Sequence, residues 1–116
     1  MFDTALTRLL SIDVPIVQAP IANLTCPELV AGVSNAAALG MLSVTWREPD
    51  EIRSLLRRIR ELTDRPFGVN LVLAWNMRKR LEVCLEEGVP VVSFFWADGR
   101  RGLTPALTGG EVSRRR

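Results

Sequence analysis

Four short apolar runs, at Val14 to Ala19, Gly40 to Val44, Phe67 to Leu73 and Val89 to Phe95, are separated by stretches whose apolar residues recur at helical spacing. The pattern predicts the order β-α-β-α-β-α-β. Connections of this length are too long for hairpins, and a right-handed crossover through a helix makes successive strands parallel. Runs such as Val89-Pro90-Val91-Val92-Ser93-Phe94-Phe95 do not alternate between apolar and polar residues, as expected of strands covered on both faces.

The intervening stretches carry their own punctuation. Thr25-Cys26-Pro27-Glu28 reads as a capping box at the start of a helix, with Leu24 and Leu29 spaced for the hydrophobic staple. From Pro49 to Leu62, the residues Ile52, Leu55, Leu56, Ile59 and Leu62 form one stripe, while Arg53, Arg57, Arg58, Arg60 and Glu61 fall largely outside it. A further helix is expected from an N-cap at Asn76, burying Met77, Leu81, Cys84 and Leu85 and ending at Gly88. A short helix over Thr4 to Leu10 precedes the first run. Beyond Asp98 the period collapses, so residues 1–98 are expected to fold and residues 99–116 to form a disordered tail.

Four parallel strands suit either a small doubly wound sheet or the first half of a (β/α)8 barrel. A dinucleotide-binding sheet would place glycines in the first βα turn, where backbone amides meet a pyrophosphate. Here that turn reads Gln18-Ala19-Pro20-Ile21-Ala22-Asn23 and holds no glycine. The expected class is therefore α/β, with parallel β/α units forming the first half of a TIM barrel. A whole barrel takes about 250 residues, roughly twice this chain.

Charge narrows the choice of partner. Residues 1–98 carry 10 basic and 12 acidic side chains, and residues 99–116 carry 5 and 1, so the net +2 belongs to the tail. A nucleic-acid-binding face would spread positive charge over the folded body, and none is expected. Two distant cysteines and no histidine leave neither a disulfide framework nor a zinc site, which points to a reduced, cytoplasmic setting without a metal. No apolar run approaches the ~20 residues that span a bilayer, and no membrane association is expected.

In a barrel, chemistry gathers at the C-terminal ends of the strands. Those positions hold Gln18 to Ala22, Ser43 to Trp46, Asn70 to Trp75 and Ser93 to Asp98. Gln18 and Asn70 interrupt apolar runs, and each amide suits a backbone-bonding role as well as a ligand-binding one. Trp46, Trp75 and Trp96 follow three successive strands; they can wall an apolar mouth, though packing of loops against helices is the commoner use. Cys26 lies in a first helical turn without a basic neighbour and reads as inert. The carboxylates Asp50, Glu51, Glu61, Glu82, Glu86 and Glu87 lie on helix faces and read as solvated surface charge.

Residues 9–20 (Leu-Leu-Ser-Ile-Asp-Val-Pro-Ile-Val-Gln-Ala-Pro), 27–36 (Pro-Glu-Leu-Val-Ala-Gly-Val-Ser-Asn-Ala), the pair Leu39-Gly40, residues 63–71 (Thr-Asp-Arg-Pro-Phe-Gly-Val-Asn-Leu) and residues 87–94 (Glu-Gly-Val-Pro-Val-Val-Ser-Phe) resemble, in order and spacing, the N-terminal part of nitronate monooxygenases. This family, formerly called 2-nitropropane dioxygenases, consists of FMN-dependent TIM barrels. The resemblance covers about residues 8–95 and implies an oxidoreductase in which FMN takes electrons from an alkyl nitronate and dioxygen reoxidises it. It implies that the segment Ala19, Pro20, Ile21 and Ala22 runs beside the flavin ring and that Asn70 hydrogen-bonds it. Ile21 stands where many members have Met, and Ala37 and Ala38 replace a frequent Gly pair. The family's catalytic His and phosphate-binding glycine loops lie on later strands, so the chain alone is expected to be inactive and no catalytic residue is assigned to it.

Two other readings accompany this one. Flavin-dependent enoyl-ACP reductases share the same opening segments. A non-catalytic truncated remnant or assembly piece is the other; the open strand edges of a half-barrel favour association, including a homo-oligomer.

Overall fold

A computed structural model describes residues 2–96; the expected tail at 99–116 lies outside the described residues. The elements are α1 (Ala5–Leu10), α2 (Pro27–Asn35), β1 (Gly40–Ser43), α3 (Pro49–Leu62), β2 (Phe67–Val72), α4 (Arg78–Glu86) and β3 (Val91–Phe95), with a single 3-10 turn at Ala22–Leu24. The strands are parallel and lie side by side in chain order, β1-β2-β3.

The first apolar run does not become a strand. It contributes one parallel bridge, Val17 to Leu39, on the outer side of β1. Its main-chain ladder consists of the Leu39 N–H donating to Ile16 and the Gln18 N–H donating to Leu39. The next main-chain donor to Met41 in this register would be residue 20, which is proline and has no N–H. Gln18 completes the ladder with its side chain instead. Its Oε1 accepts from the Met41 N–H at 3.1 Å and its Nε2 donates to the Met41 carbonyl at 3.2 Å. The segment thus sits where a fourth strand was expected, held by a carboxamide acting as a peptide group.

Three helices cover one face of the sheet. Ile52, Leu56 and Ile59 of α3 are fully buried against Leu42, Val69 and Leu71, with Leu81, Val83 and Cys84 of α4 completing the cluster. Each such aliphatic side chain contributes about 1.5–3 kcal/mol by leaving water. Helix α2 lies so close to β1 that a Cβ at Gly40 would collide with the Val30 carbonyl, so only glycine permits the approach. Gly88, at φ +67°, ends α4 as expected. Ala37 takes φ +72° after α2, the left-handed region that favours glycine, at a cost of about 1 kcal/mol.

Several local expectations need correction. Thr25 does not cap α2: the N-cap is Cys26 without a side-chain hydrogen bond, and Thr25 is fully buried with its hydroxyl committed to tertiary contacts. Leu24 and Leu29 are exposed and make no buried staple. The capping box sits on α1, where Thr4 and Thr7 bond reciprocally. Helix α4 starts at Arg78 with Met77 as its N-cap in place of Asn76, which lies one residue earlier in the turn and accepts through Oδ1 from the Arg78 N–H, and Leu85 is exposed.

Glu87 is not a solvated charge. Its side chain is 13% exposed and clamps α4 to α3 through Arg53 at 2.7 Å and Arg57 at 3.2 Å. Arg60 adds bonds to the carbonyls of Glu87 and Gly88, satisfying the end of α4.

Candidate functional site

Side chains alternate along each strand, so the residues between those facing the helices point to the opposite face. At the N-terminal end of that face Met41 packs with Ile12 and Leu39, and Leu10 and Val91 lie against them. Met41, Gly68 and Val91 are register partners and form a floor. A Cβ at Gly68 would stand 2.5 Å from the Met41 sulfur, so the glycine makes room for that thioether to lie across the sheet.

Two residues further along every strand, on the same face, the chemistry changes. Ser43 pairs in register with Asn70, and Asn70 with Ser93. These three side chains make a polar row across the sheet above the apolar floor. Asn70 Nδ2 donates to Ser93 Oγ at 2.8 Å and approaches the Ser93 carbonyl at 3.4 Å. Both contacts are acceptors for an N–H, which fixes the orientation of the amide.

The segment Ala19 to Ala22 reaches the same end of the sheet. Gln18 Nε2 bonds the Ala19 carbonyl at 2.6 Å while gripping Met41. At the other end, the Thr25 hydroxyl donates to the Ala22 carbonyl at 3.0 Å and accepts from the Ser43 N–H at 3.2 Å. The loop is therefore tied to β1 at both ends, one tie falling on the strand position in register with Asn70. Ala19 and Ile21 are exposed, Pro20 is half-buried, and Ala22 is held at φ +38°. A non-glycine residue in this region stores strain of the order of 1 kcal/mol, supported here by the Thr25 bond.

The tryptophans divide. Trp46 and Trp75 meet edge to face with ring centroids 5.0 Å apart, each about half exposed. With Thr45, Asn76, Met77 and Arg80 they line a shallow cleft of about 320 Å³ beyond β1 and β2. Trp96 instead stacks on Phe95 at the outer edge, 65% exposed.

The open face is electrically quiet. Gln18, Ser43, Asn70 and Ser93 are neutral, and the chain has no His. The displaced ionisations lie elsewhere. Burial pushes the Cys84 thiol up to about 12. Hydrogen bonds to Glu86 and Glu87 raise Arg53. Partial desolvation favours protonation of Glu87, but bonds from Arg53 and Arg57 outweigh it and hold the carboxyl below its ordinary value. Among the described residues no group of three acidic, Cys or His side chains is arranged to hold a metal. Such a row can bind and orient a ligand with uncharged groups; among the described residues it offers no general base.

Sequence reasoning placed Ala19 to Ala22 and Asn70 at the strand ends; in the structure the loop is tied to β1 at Met41 and Ser43, and Ser43 is the register partner of Asn70. That reasoning missed Thr25, which the capping pattern disguised. It also left Ser43 and Ser93 unremarked as partners of Asn70. The available signal was one polar residue at the same depth in each apolar run.

Comparison with known proteins follows the same outline. The family model described as nitronate monooxygenase matches residues 3–77. A nitronate monooxygenase of Pseudomonas aeruginosa is 49% identical over 56% of this chain and 18% of its own length. A (3aS,4S,5R,7aS)-5-hydroxy-7a-methyl-1-oxo-octahydro-1H-indene-4-carboxyl-CoA dehydrogenase of Rhodococcus jostii is 38% identical over 94% of this chain and 31% of its own. Among solved structures, FabK from Thermotoga maritima superposes with a TM-score of 0.81 at 36% identity, covering 90% of this chain and 35% of that one. The chain thus spans about a third or less of the relatives it matches.

Proposed function

The chain belongs to the nitronate monooxygenase family of oxidoreductases, and from that premise we propose that it forms the flavin-facing opening of an FMN-dependent barrel that oxidises alkyl nitronates. The observation supporting this reading is that the Ala19–Ala22 loop is tied to β1 at both ends, at Met41 and at Ser43, and that Ser43 is the register partner of Asn70. A flavin's polar edge needs fixed donors and acceptors, and its ring faces need apolar walls. Both kinds of group are present: the polar Ser43–Asn70–Ser93 row, and exposed Ile21 in the loop tied to β1.

When bound, FMN supplies the electron transfer from the nitronate to dioxygen, leaving a carbonyl compound and nitrite. The chain's own residues bind and orient. Ala19 to Ala22 offer backbone groups whose positions are set by Gln18 and Thr25, and Asn70 offers its amide. With no His in the chain and no carboxylate among Gln18, Ser43, Asn70 and Ser93, proton abstraction falls to residues outside this row. A nitronate, already an anion, makes less demand on such a base than a neutral nitroalkane does.

The test is FMN titration of the purified chain beside a full-length relative. The relative should turn yellow and consume oxygen with nitronate. The chain should bind FMN only in the range of millimolar, because barrel phosphate sites sit after the seventh and eighth strands. Turnover by the chain alone would overturn the division of labour, and a colourless relative would overturn the flavin reading.

A second reading has its own support. The carboxyl-CoA dehydrogenase matches 94% of the chain, and that match runs past Asp98. A reductase or dehydrogenase acting on an acyl thioester would retain the flavin face and replace the nitronate. Assaying the full-length relative with both substrate types separates the two readings.

A further inference from the structure

We propose that the cleft at Trp46 and Trp75 binds a planar aromatic ring carrying an acidic group, carboxylate or phosphate, with the ring on the tryptophans and the acid at Arg80. This goes beyond the flavin reading and does not depend on it. The lining residues, Thr45, Trp46, Trp75, Asn76, Met77 and Arg80, include none of the Ala19–Ala22 loop and none of the Ser43–Asn70–Ser93 row.

At about 320 Å³ the cleft lies at the lower end of small-ligand pockets, which limits the ligand to one ring system and its substituent. The two indoles cross at 63°, and in an edge-to-face contact the ring that gives its edge keeps its own faces out of the contact. Half-exposed, the pair leaves apolar area in water that a planar ligand would cover. The frame is firm: Thr45 Oγ1 accepts from the Val72 N–H at 2.9 Å and Met77 is buried, so the walls rest on the ends of β1 and β2.

Arg80 supplies the charge. Its Nε donates to the Arg47 carbonyl at 2.7 Å, which anchors the guanidinium at the cleft wall and leaves four of its five N–H donors for other acceptors. Its ionic partner Glu48 stands 3.6 Å away and is 82% exposed, so the pair is weak and a ligand anion can displace it. The first turn of α4 reads Arg78-Lys79-Arg80 with no acidic residue, the reverse of the usual preference at the positive end of a helix, and an anion from outside relieves that repulsion. No carboxylate lines the cleft. A neutral ring would leave Arg80 unused, a cation would be repelled by it, and a bare anion would leave the tryptophans uncovered.

The probes are 2-naphthoate and 2-naphthyl phosphate, with 2-naphthylmethanol as the ring without the charge and acetate and inorganic phosphate as the charge without the ring. Each is titrated into the full 116-residue chain while the three indole N–H signals are followed by NMR, Trp96 serving as the internal reference because it lies outside the cleft. Both acidic rings should shift Trp46 and Trp75 and leave Trp96 in place, and the tighter of the two names the acid. The neutral ring should bind about tenfold more weakly, the value of one charge-assisted hydrogen bond, and acetate and inorganic phosphate should shift nothing at the same concentration. Arg80→Gln should bring the acidic rings down to the affinity of the neutral one and leave the neutral one unchanged. The probe series needs no substitution, so the result stands even where that variant folds poorly. Equal binding of neutral and acidic rings overturns the role of Arg80. No shift at millimolar concentration, or an equal shift of Trp96, overturns the site, and either result leaves the flavin reading standing.

Discussion

The two faces of one three-stranded sheet obey different rules. On the helical face, Leu42, Val69 and Leu71 pack against Ile52, Leu56 and Ile59 with no exposure at all. On the opposite face, one residue away along the same strands, Ser43, Asn70 and Ser93 form a polar row beside a strained loop. The first face accounts for why the chain folds and the second for what it can bind. Apolar burial is non-directional and depends on the volume and area buried, whereas a hydrogen-bonding row depends on atom type and direction.

The largest expected contrast comes from truncating one residue on each face. Leu56→Ala should destabilise by about 2–5 kcal/mol, through lost burial plus a cavity, read from the denaturant midpoint. Asn70→Ala should cost about 1 kcal/mol or less, because it is half-buried and loses its bond to Ser93 alone. A cost for Asn70 comparable to that of Leu56 would break the division between the faces.

The glycines sharpen it. Gly40→Ala drives a methyl into the Val30 main chain of α2, which cannot move without shifting a helix, and should cost about 3 kcal/mol. Gly68→Ala meets the Met41 sulfur at 2.5 Å and the Val91 carbonyl oxygen at 3.0 Å. The thioether can swing away, so about 1 kcal/mol is expected. The order of the two melting temperatures checks this.

A smaller, pH-dependent effect belongs to the Glu87 clamp on the outer helices. Its carboxyl is held below the ordinary Glu value in the folded protein, so the unfolded chain takes up that proton first. The stabilisation is complete above the ordinary carboxylate range and fades as pH falls through the lowered value. Glu87→Gln should therefore flatten the acid limb of a stability-against-pH curve and leave the neutral region with a constant offset. An unchanged acid limb would show that the clamp adds nothing.

The mildest test changes no residue. Cys84 is buried among α4, α3 and the sheet with its thiol pushed up to about 12, while Cys26 is exposed. Iodoacetamide at neutral pH should label Cys26 in the native protein and reach Cys84 only on unfolding. Mass spectrometry of the labelled peptides reads the outcome.

Much of this was legible in the chain because periodicity and glycine placement are local signals. The stripe from Ile52 to Ile59 put α3 at Pro49–Leu62, and Gly88 marked the end of α4. The strand order followed from connection length, and the position of Ala19 to Ala22 and Asn70 followed from strand polarity. The motif resemblance agreed with the family match over residues 3–77.

What tertiary structure alone decided were the partners of the polar side chains. Thr25 fitted a capping box as written, yet its hydroxyl joins the Ala22 carbonyl to the Ser43 N–H, because both lie within reach once α2 packs on β1. Gln18 was an amide with two open roles until Pro20 left the Met41 carbonyl without a main-chain donor. Asn70 and Ser93, distant along the chain, became one hydrogen-bonded pair through strand register. A hydrogen bond is a short-range, directional contact, and its partner is chosen only when the backbone has brought the two atoms together. Apolar periodicity needs no such partner, which is why the helical face could be read from the residues and the open face could not.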